Sequence, residues 1–212
     1  MTTVAIIDYG IGNRGSVLNA VRYLGYEAAV VDTAQGIRSA DIVVLPGVGA
    51  FAAGMRNLEA RGLRAPLEEA VLGKAKPFLG ICLGMQLVAV SSMEEGYHKG
   101  LGWLDAEVLP IDPSPRLPLP HVGWNSLSAV RPGSVCDGVR AGASFYFDHS
   151  FAVHCNDDVP AAHCEYGSSV VAVVEHKNIV GIQFHPERSQ LSGLRLLRRF
   201  FERAGAQTVN KA

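Results

Sequence analysis

The chain has 212 residues, 19 Lys and Arg against 20 Asp and Glu, a net charge of −1, and 48% apolar residues. That balance excludes a disordered chain, and it gives no electrostatic reason to bind nucleic acid or an anionic membrane surface. A chain of this length buries a core without help from disulfides or metals.

Met1 to Gly10 lacks a basic segment and carries Asp8 inside its apolar stretch, so it does not read as a secretory signal, and a cytoplasmic location is expected. Val4 to Ile7 reads as a strand, Gly15 to Leu24 as a helix, and Ala28 to Val31 and Ile42 to Leu45 as further strands, the alternation of a parallel sheet. In that helix Val17, Val21 and Leu24 share one face, with Asn13 or Ser16 available as its cap. Pro77 to Ile81 is another strand and runs straight into a helical stretch from Leu83. The uncharged run that contains them, Pro77 to Met93, is broken by Gly80, Gly84, Gln86, Ser91 and Ser92 and is too polar to span a bilayer.

Pro110, Pro113, Pro115, Pro118 and Pro120 predict an irregular crossing. Ser144 to Phe147, Ala152 to Cys155, Ser169 to Val174 and Ile179 to Phe184 then read as an antiparallel extension of the same sheet. A closing helix, Gln190 to Ala204, has an apolar stripe of Leu194, Leu197, Phe200 and Phe201 and a wet face with Arg195, Arg198 and Arg199, with Gly205 as its stop. Cys82, Cys136, Cys155 and Cys164 show no C-x-x-C pairing, so no disulfide framework is expected.

Gly10-Ile11-Gly12-Asn13-Arg14-Gly15 spells the glycine turn of a dinucleotide site, with Asp32 at the end of the next strand to take ribose hydroxyls. Against an NAD-dependent oxidoreductase, Asp8 and Tyr9 place an anion and a bulky ring where a phosphate turn is tight and uncharged. Gly80-Ile81-Cys82-Leu83-Gly84 has the spacing of a nucleophile elbow, a sharp strand-to-helix turn with Cys82 at its tip. A thiol at a helix N-terminus is activated by the dipole and the free N–H groups, although a buried cysteine can also simply fill a core. His185, ending another strand, is the candidate base, and Glu187 would fix its tautomer and stabilise its charged form. The Leu83 N–H and the loop Pro46-Gly47-Val48-Gly49 could supply the oxyanion donors that acyl chemistry needs, from Val48, Gly49 and Leu83.

With Cys82, His185 and Glu187 in that order, the chain resembles the class I glutamine amidotransferases. Residues 8–13, 45–51, 80–86, 120–125 and 181–187 are more narrowly similar to the glutaminase subunits of imidazole glycerol phosphate synthases. The resemblance implies a flavodoxin-like, mainly parallel mixed sheet flanked by helices, with an antiparallel extension, in a single domain over residues 1–212. It implies hydrolysis of glutamine through a thioester on Cys82, without cofactor or metal. Ammonia would pass to a separate (β/α)8-barrel cyclase making imidazole glycerol phosphate in histidine biosynthesis. Glutamine would be held by Gly49, Gln86, Glu94, His149 and Ser150, the last two largely through backbone groups, and Asn13, Trp124, Tyr146 and Arg188 would face the cyclase.

Four residues depart from that family's pattern near the expected docking face: Arg14 and Gly15, Asp148, and Arg188 where lysine usually follows the triad glutamate. They leave room for a paralogue feeding a different synthase, such as one that amidates a sugar, and a non-catalytic scaffold is a further rival. His154-Cys155 and His163-Cys164 do not predict a zinc site, since neighbours on a strand point to opposite faces.

Overall fold

The computed structural model describes residues 2–112, 117–155 and 158–209, so Met1, Pro113 and Pro115 lie outside the described residues. In chain order the elements are β1 (Thr3–Ile7), α1 (Arg14–Tyr23), β2 (Glu27–Val31), α2 (Ala34–Ser39), β3 (Ile42–Gly47), α3 (Phe51–Ala60) and α4 (Arg64–Glu68). A π-helical turn, Glu69–Gly73, precedes β4 (Phe78–Cys82), the short α5 (Leu83–Gln86), β5 (Ser91–Ser92), β6 (His98–Lys99) and β7 (Ala106–Pro110). Then come β8 (His121–Ser128), β9 (Ser144–His149), β10 (Phe151–Cys155), β11 (Pro160–Tyr166), β12 (Ser168–His176) and β13 (Ile179–Ile182). A 3-10 turn, Pro186–Arg188, leads into α6 (Gln190–Val209).

Nine strands form one sheet in the order β2-β1-β3-β4-β13-β12-β11-β8-β9. From β2 to β13 neighbouring strands run parallel, and from β12 onward they run antiparallel. β3, β4 and β13 are buried along their whole length, as strands covered on both faces must be, which explains their unbroken apolar composition. One face packs Val17 and Val21 of α1 and Leu197, Phe200 and Phe201 of α6. The other packs Ile37, Phe51, Leu58 and Leu67 from α2, α3 and α4.

Three expectations need correction. Ile179–Ile182 does not belong to the antiparallel extension, because it pairs parallel with β4. Phe151–Cys155 leaves the main sheet and pairs with β7 in a separate sheet of order β10-β7-β5-β6. Gly205 does not stop α6, which continues to Val209: its backbone stays helical, and a Cβ there would meet nothing closer than the Thr2 hydroxyl at 4.0 Å, so the position makes no demand for glycine. Asn13 takes the cap position of α1, but its side chain makes no capping hydrogen bond.

Candidate active site

The adjacent parallel strands β3, β4 and β13 are in register, with Gly47 opposite Cys82 and Ile81 opposite Ile182. Their C-terminal ends therefore deliver three segments to one edge: the Gly47–Ala50 loop, the thiol, and Gln183 to Glu187. The exits of parallel strands are where α/β sheets place their chemistry. Cys82 has φ 52° and ψ −109°, a left-handed conformation costly for a residue with a Cβ and held here by its surroundings. The turn closes only because Gly80 and Gly84 are bare: a Cβ on Gly84 would strike the Leu45 carbonyl, and one on Gly80 the Gly84 carbonyl. Cys136 and Cys164 show the contrasting case, core thiols that burial pushes up to about 12.

His185 Nδ1 lies 3.0 Å from Glu187 Oε1, both side chains almost wholly buried, and the imidazole also hydrogen-bonds Cys82. Burial by itself would lower the His185 pKa, but the hydrogen bonds and charges of Cys82 and Glu187 outweigh it and push it up to about 10. The arrangement favours the protonated imidazole, the form that receives the thiol proton in the reaction. Tyr9, buried behind the elbow with no hydrogen-bond partner for its hydroxyl among the described residues, is held neutral by burial and by the nearby Cys82.

These groups open onto a cavity of about 340 Å³ lined by Val48, Gly49, Leu83, Gln86, Glu94, His149 and Ser150 together with Cys82 and His185. Every residue singled out for the oxyanion and for glutamine thus borders one space, while Glu187 stands behind His185. Gly49 has φ 100°, which suits glycine, and the Leu83 N–H opens α5, where no intrahelical acceptor exists. Glu94 Oε2 accepts a 2.6 Å hydrogen bond from the Phe51 N–H, so its carboxylate also fixes the start of α3 just after the Gly49 loop.

Outside the cavity, Arg188 Cζ sits 4.1 Å from the centre of the Tyr146 ring, and Trp124 meets the same ring edge-on at 6.1 Å. Trp124 is 50% exposed, beside exposed Val122 and Leu119. Asn13 closes the Asp8–Asn13 loop ahead of α1. In that loop Gly10 N–H donates to Asp8 Oδ1 at 2.9 Å, and Arg14 pairs with the same oxygen. Burial would raise the Asp8 pKa, but these partners hold it below the usual carboxylate range. The glycine turn's anion is thus the protein's own carboxylate, which is the physical reason a pyrophosphate does not fit.

The chain matches the family described as "Glutamine amidotransferase class-I" over residues 5–204. It belongs to the class I glutamine amidotransferases. A relative from Nitrobacter winogradskyi, "Imidazole glycerol phosphate synthase subunit HisH 2", is 44% identical over 95% of this chain and 99% of its own. One of the same name from Vibrio vulnificus is 46% identical over 94% of each chain. Among solved structures, a glutamine amidotransferase from Thermotoga maritima has a TM-score of 0.64 at 18% identity, covering 96% of this chain and 97% of its own, a likeness of fold.

Two side chains of this amidotransferase were not singled out from sequence. Ser189 is fully buried; its hydroxyl donates to the His185 carbonyl at 2.6 Å and accepts from the Tyr146 N–H at 2.9 Å, tying the base's loop to β9. Gln183 is equally buried, its Nε2 3.7 Å from Cys82 Sγ. Ser189→Ala leaves the Tyr146 N–H unsatisfied and is expected to destabilise the fold by about 1–3 kcal/mol in urea titration.

Proposed function

We propose that residues 1–212 act as one glutaminase domain that hydrolyses glutamine through a Cys82 thioester and hands the ammonia to a barrel cyclase making imidazole glycerol phosphate in histidine biosynthesis. The carrying observation is the buried Cys82–His185–Glu187 constellation at the cavity floor, in a chain whose relatives at 44% and 46% identity bear the name of that synthase's HisH subunit. His185 takes the thiol proton, the sulfur attacks the carboxamide carbon, and the Leu83, Val48 and Gly49 N–H groups receive the developing oxyanion. The C–N bond breaks as the imidazolium protonates the leaving nitrogen, and water then cleaves the thioester to glutamate.

Gln86, Glu94, His149, Ser150 and Gly49 line the space for the amino-acid portion of glutamine. An exposed Trp124 backed by Tyr146 and Arg188 supports a heterodimer with the cyclase across that face, since aromatic and arginine side chains anchor interfaces. Among the described residues no helix is long and apolar enough to cross a membrane, and no disulfide joins the four cysteines, which supports a cytoplasmic setting. No group of three or more His, Cys, Asp or Glu among the described residues is placed to hold a metal ion.

A glutamine-like electrophile is expected to modify Cys82 alone, seen by peptide mapping, and excess glutamine to protect it. Equal labelling of Cys136, Cys155 or Cys164 would refute the assignment.

A further inference from the structure

A chain of hydrogen bonds runs from the half-exposed β8 strand to the sulfur of Cys82, and two backbone carbonyls fix the direction of every link. The Phe151 carbonyl, which can only accept, faces Gln86 Nε2 at 3.0 Å and His149 Nδ1 at 2.9 Å, so both are N–H donors. Gln86 Nε2 also lies 3.1 Å from the Gln183 carboxamide, which must present its oxygen there. The other end of that amide, the Nε2 donor, is left facing Cys82 Sγ at 3.7 Å. On the far side, His149 with its proton on Nδ1 leaves Nε2 to accept from His121 Nδ1 at 2.9 Å. His121 Nε2 then accepts from Asn125 Nδ2 at 3.3 Å, the group that donates to the Glu165 carbonyl at 2.9 Å.

We propose that Gln183 is a catalytic residue whose carboxamide N–H donates to the Cys82 sulfur, and that Gln86, itself oriented by the Phe151 carbonyl, is the positioning residue that holds it in the donating orientation. The catalytic role rests on the glutaminase reading, whereas the contact with sulfur does not. A wholly buried carboxamide is costly to desolvate, and packing alone would be served as well by methionine. Gln183 Nε2 and the His185 imidazole both reach the Cys82 sulfur, so donor and base meet at one atom. When the thiol proton moves to His185, the sulfur keeps the electron pair that forms the C–S bond to the carboxamide carbon. When water later cleaves that bond, the pair returns to sulfur. Sulfur carries charge once its proton has left and again as the thioester breaks, and a fixed N–H stabilises it at both points, as hydrogen bonds to charged groups do.

The test compares Gln183→Met, which keeps the volume and removes the donor, with Gln183→Glu, which keeps the shape and turns an acceptor toward the sulfur. In the full-length chain at pH 7, alkylation of Cys82 by iodoacetamide is expected to slow about tenfold in both. In the complex with the cyclase, kcat for glutamate release is expected to fall about tenfold or more, with KM within about twofold, while ammonia-dependent turnover is unchanged. Wild-type alkylation rates in the variants would overturn the proposal, and if Gln183→Met does not fold, Gln183→Glu decides alone. A wild-type complex that releases no glutamate would defeat the glutaminase reading and the catalytic role with it. Slowed alkylation in the variants would then still establish the donor contact.

Discussion

Cys82→Ala is expected to cut glutamate release by the complex with the cyclase about 10⁴-fold or more, while turnover supplied with ammonium salt stays within about twofold of the wild type. The asymmetry follows from where the residue sits. Cys82 is the only cysteine at a strand-to-helix turn facing the cavity, and its left-handed backbone serves no packing purpose that alanine would serve less well. The substitution removes the atom that forms the thioester and little else, because the turn is shaped by Gly80, Gly84 and the strand register. The exposed Trp124–Tyr146–Arg188 cluster lies outside the cavity, so docking should survive, which the retained ammonia reaction reports. Substantial glutamine turnover by the alanine variant would place the chemistry elsewhere. Loss of both activities would mean that the turn also supports the partner contact.

The sequence was most informative where one strand pattern meets one reactive residue. Buried parallel strands read as unbroken apolar runs, and Gly-Ile-Cys-Leu-Gly at the end of such a run admits few geometries, so the thiol, the base and the edge they share were legible. Strand order was not. Nothing in Ile179 to Ile182 distinguishes a parallel neighbour of β4 from another antiparallel strand, because both are apolar when covered on two faces. Phe151–Cys155 likewise reads as part of the wrong sheet, since alternation reports burial of a face and not which strand lies alongside. The glycine turn at residues 10–15 illustrates the opposite difficulty: positive φ at Gly10 and Gly12 is real, but its use depends on Asp8 filling the concavity. Gln183 and Ser189 do not stand out in the sequence because a lone buried amide or hydroxyl becomes meaningful only when its partners are known.

The His121–His149 pair makes a second large effect measurable, in stability rather than rate. Burial, reinforced for His121 by the neighbouring imidazole, lowers its pKa to about 4. Burial dominates at His149 too, also giving about 4, although the Phe151 carbonyl and Asp148 oppose it and His185 adds to it. Both rings are therefore neutral in the fold where they would bind protons in the unfolded chain, near pH 6.5. A depressed folded-state value means stability that is complete above about pH 6.5 and lost as pH falls toward 4, because the unfolded state takes up two more protons. The slope is about 2.7 kcal/mol per pH unit, about 1.4 for each proton. A structural reason sets the cost: protonating His149 Nε2 would turn two N–H groups against each other across 2.9 Å. His185 acts in the opposite direction. Its raised value gives stability that is full below about pH 6.5 and lost as pH rises through about 10, so the two effects place the maximum near neutrality. Asp8, held below the ordinary carboxylate range, begins to matter only at the acid end of the window. Urea titrations between pH 6.5 and 4.5 should show the steep acid loss, and His121→Gln should reduce the slope by about one proton, whatever it does to stability at pH 7. A wild-type profile that is flat over that interval, or a slope the variant leaves untouched, would show that these imidazoles are not buried in their neutral form.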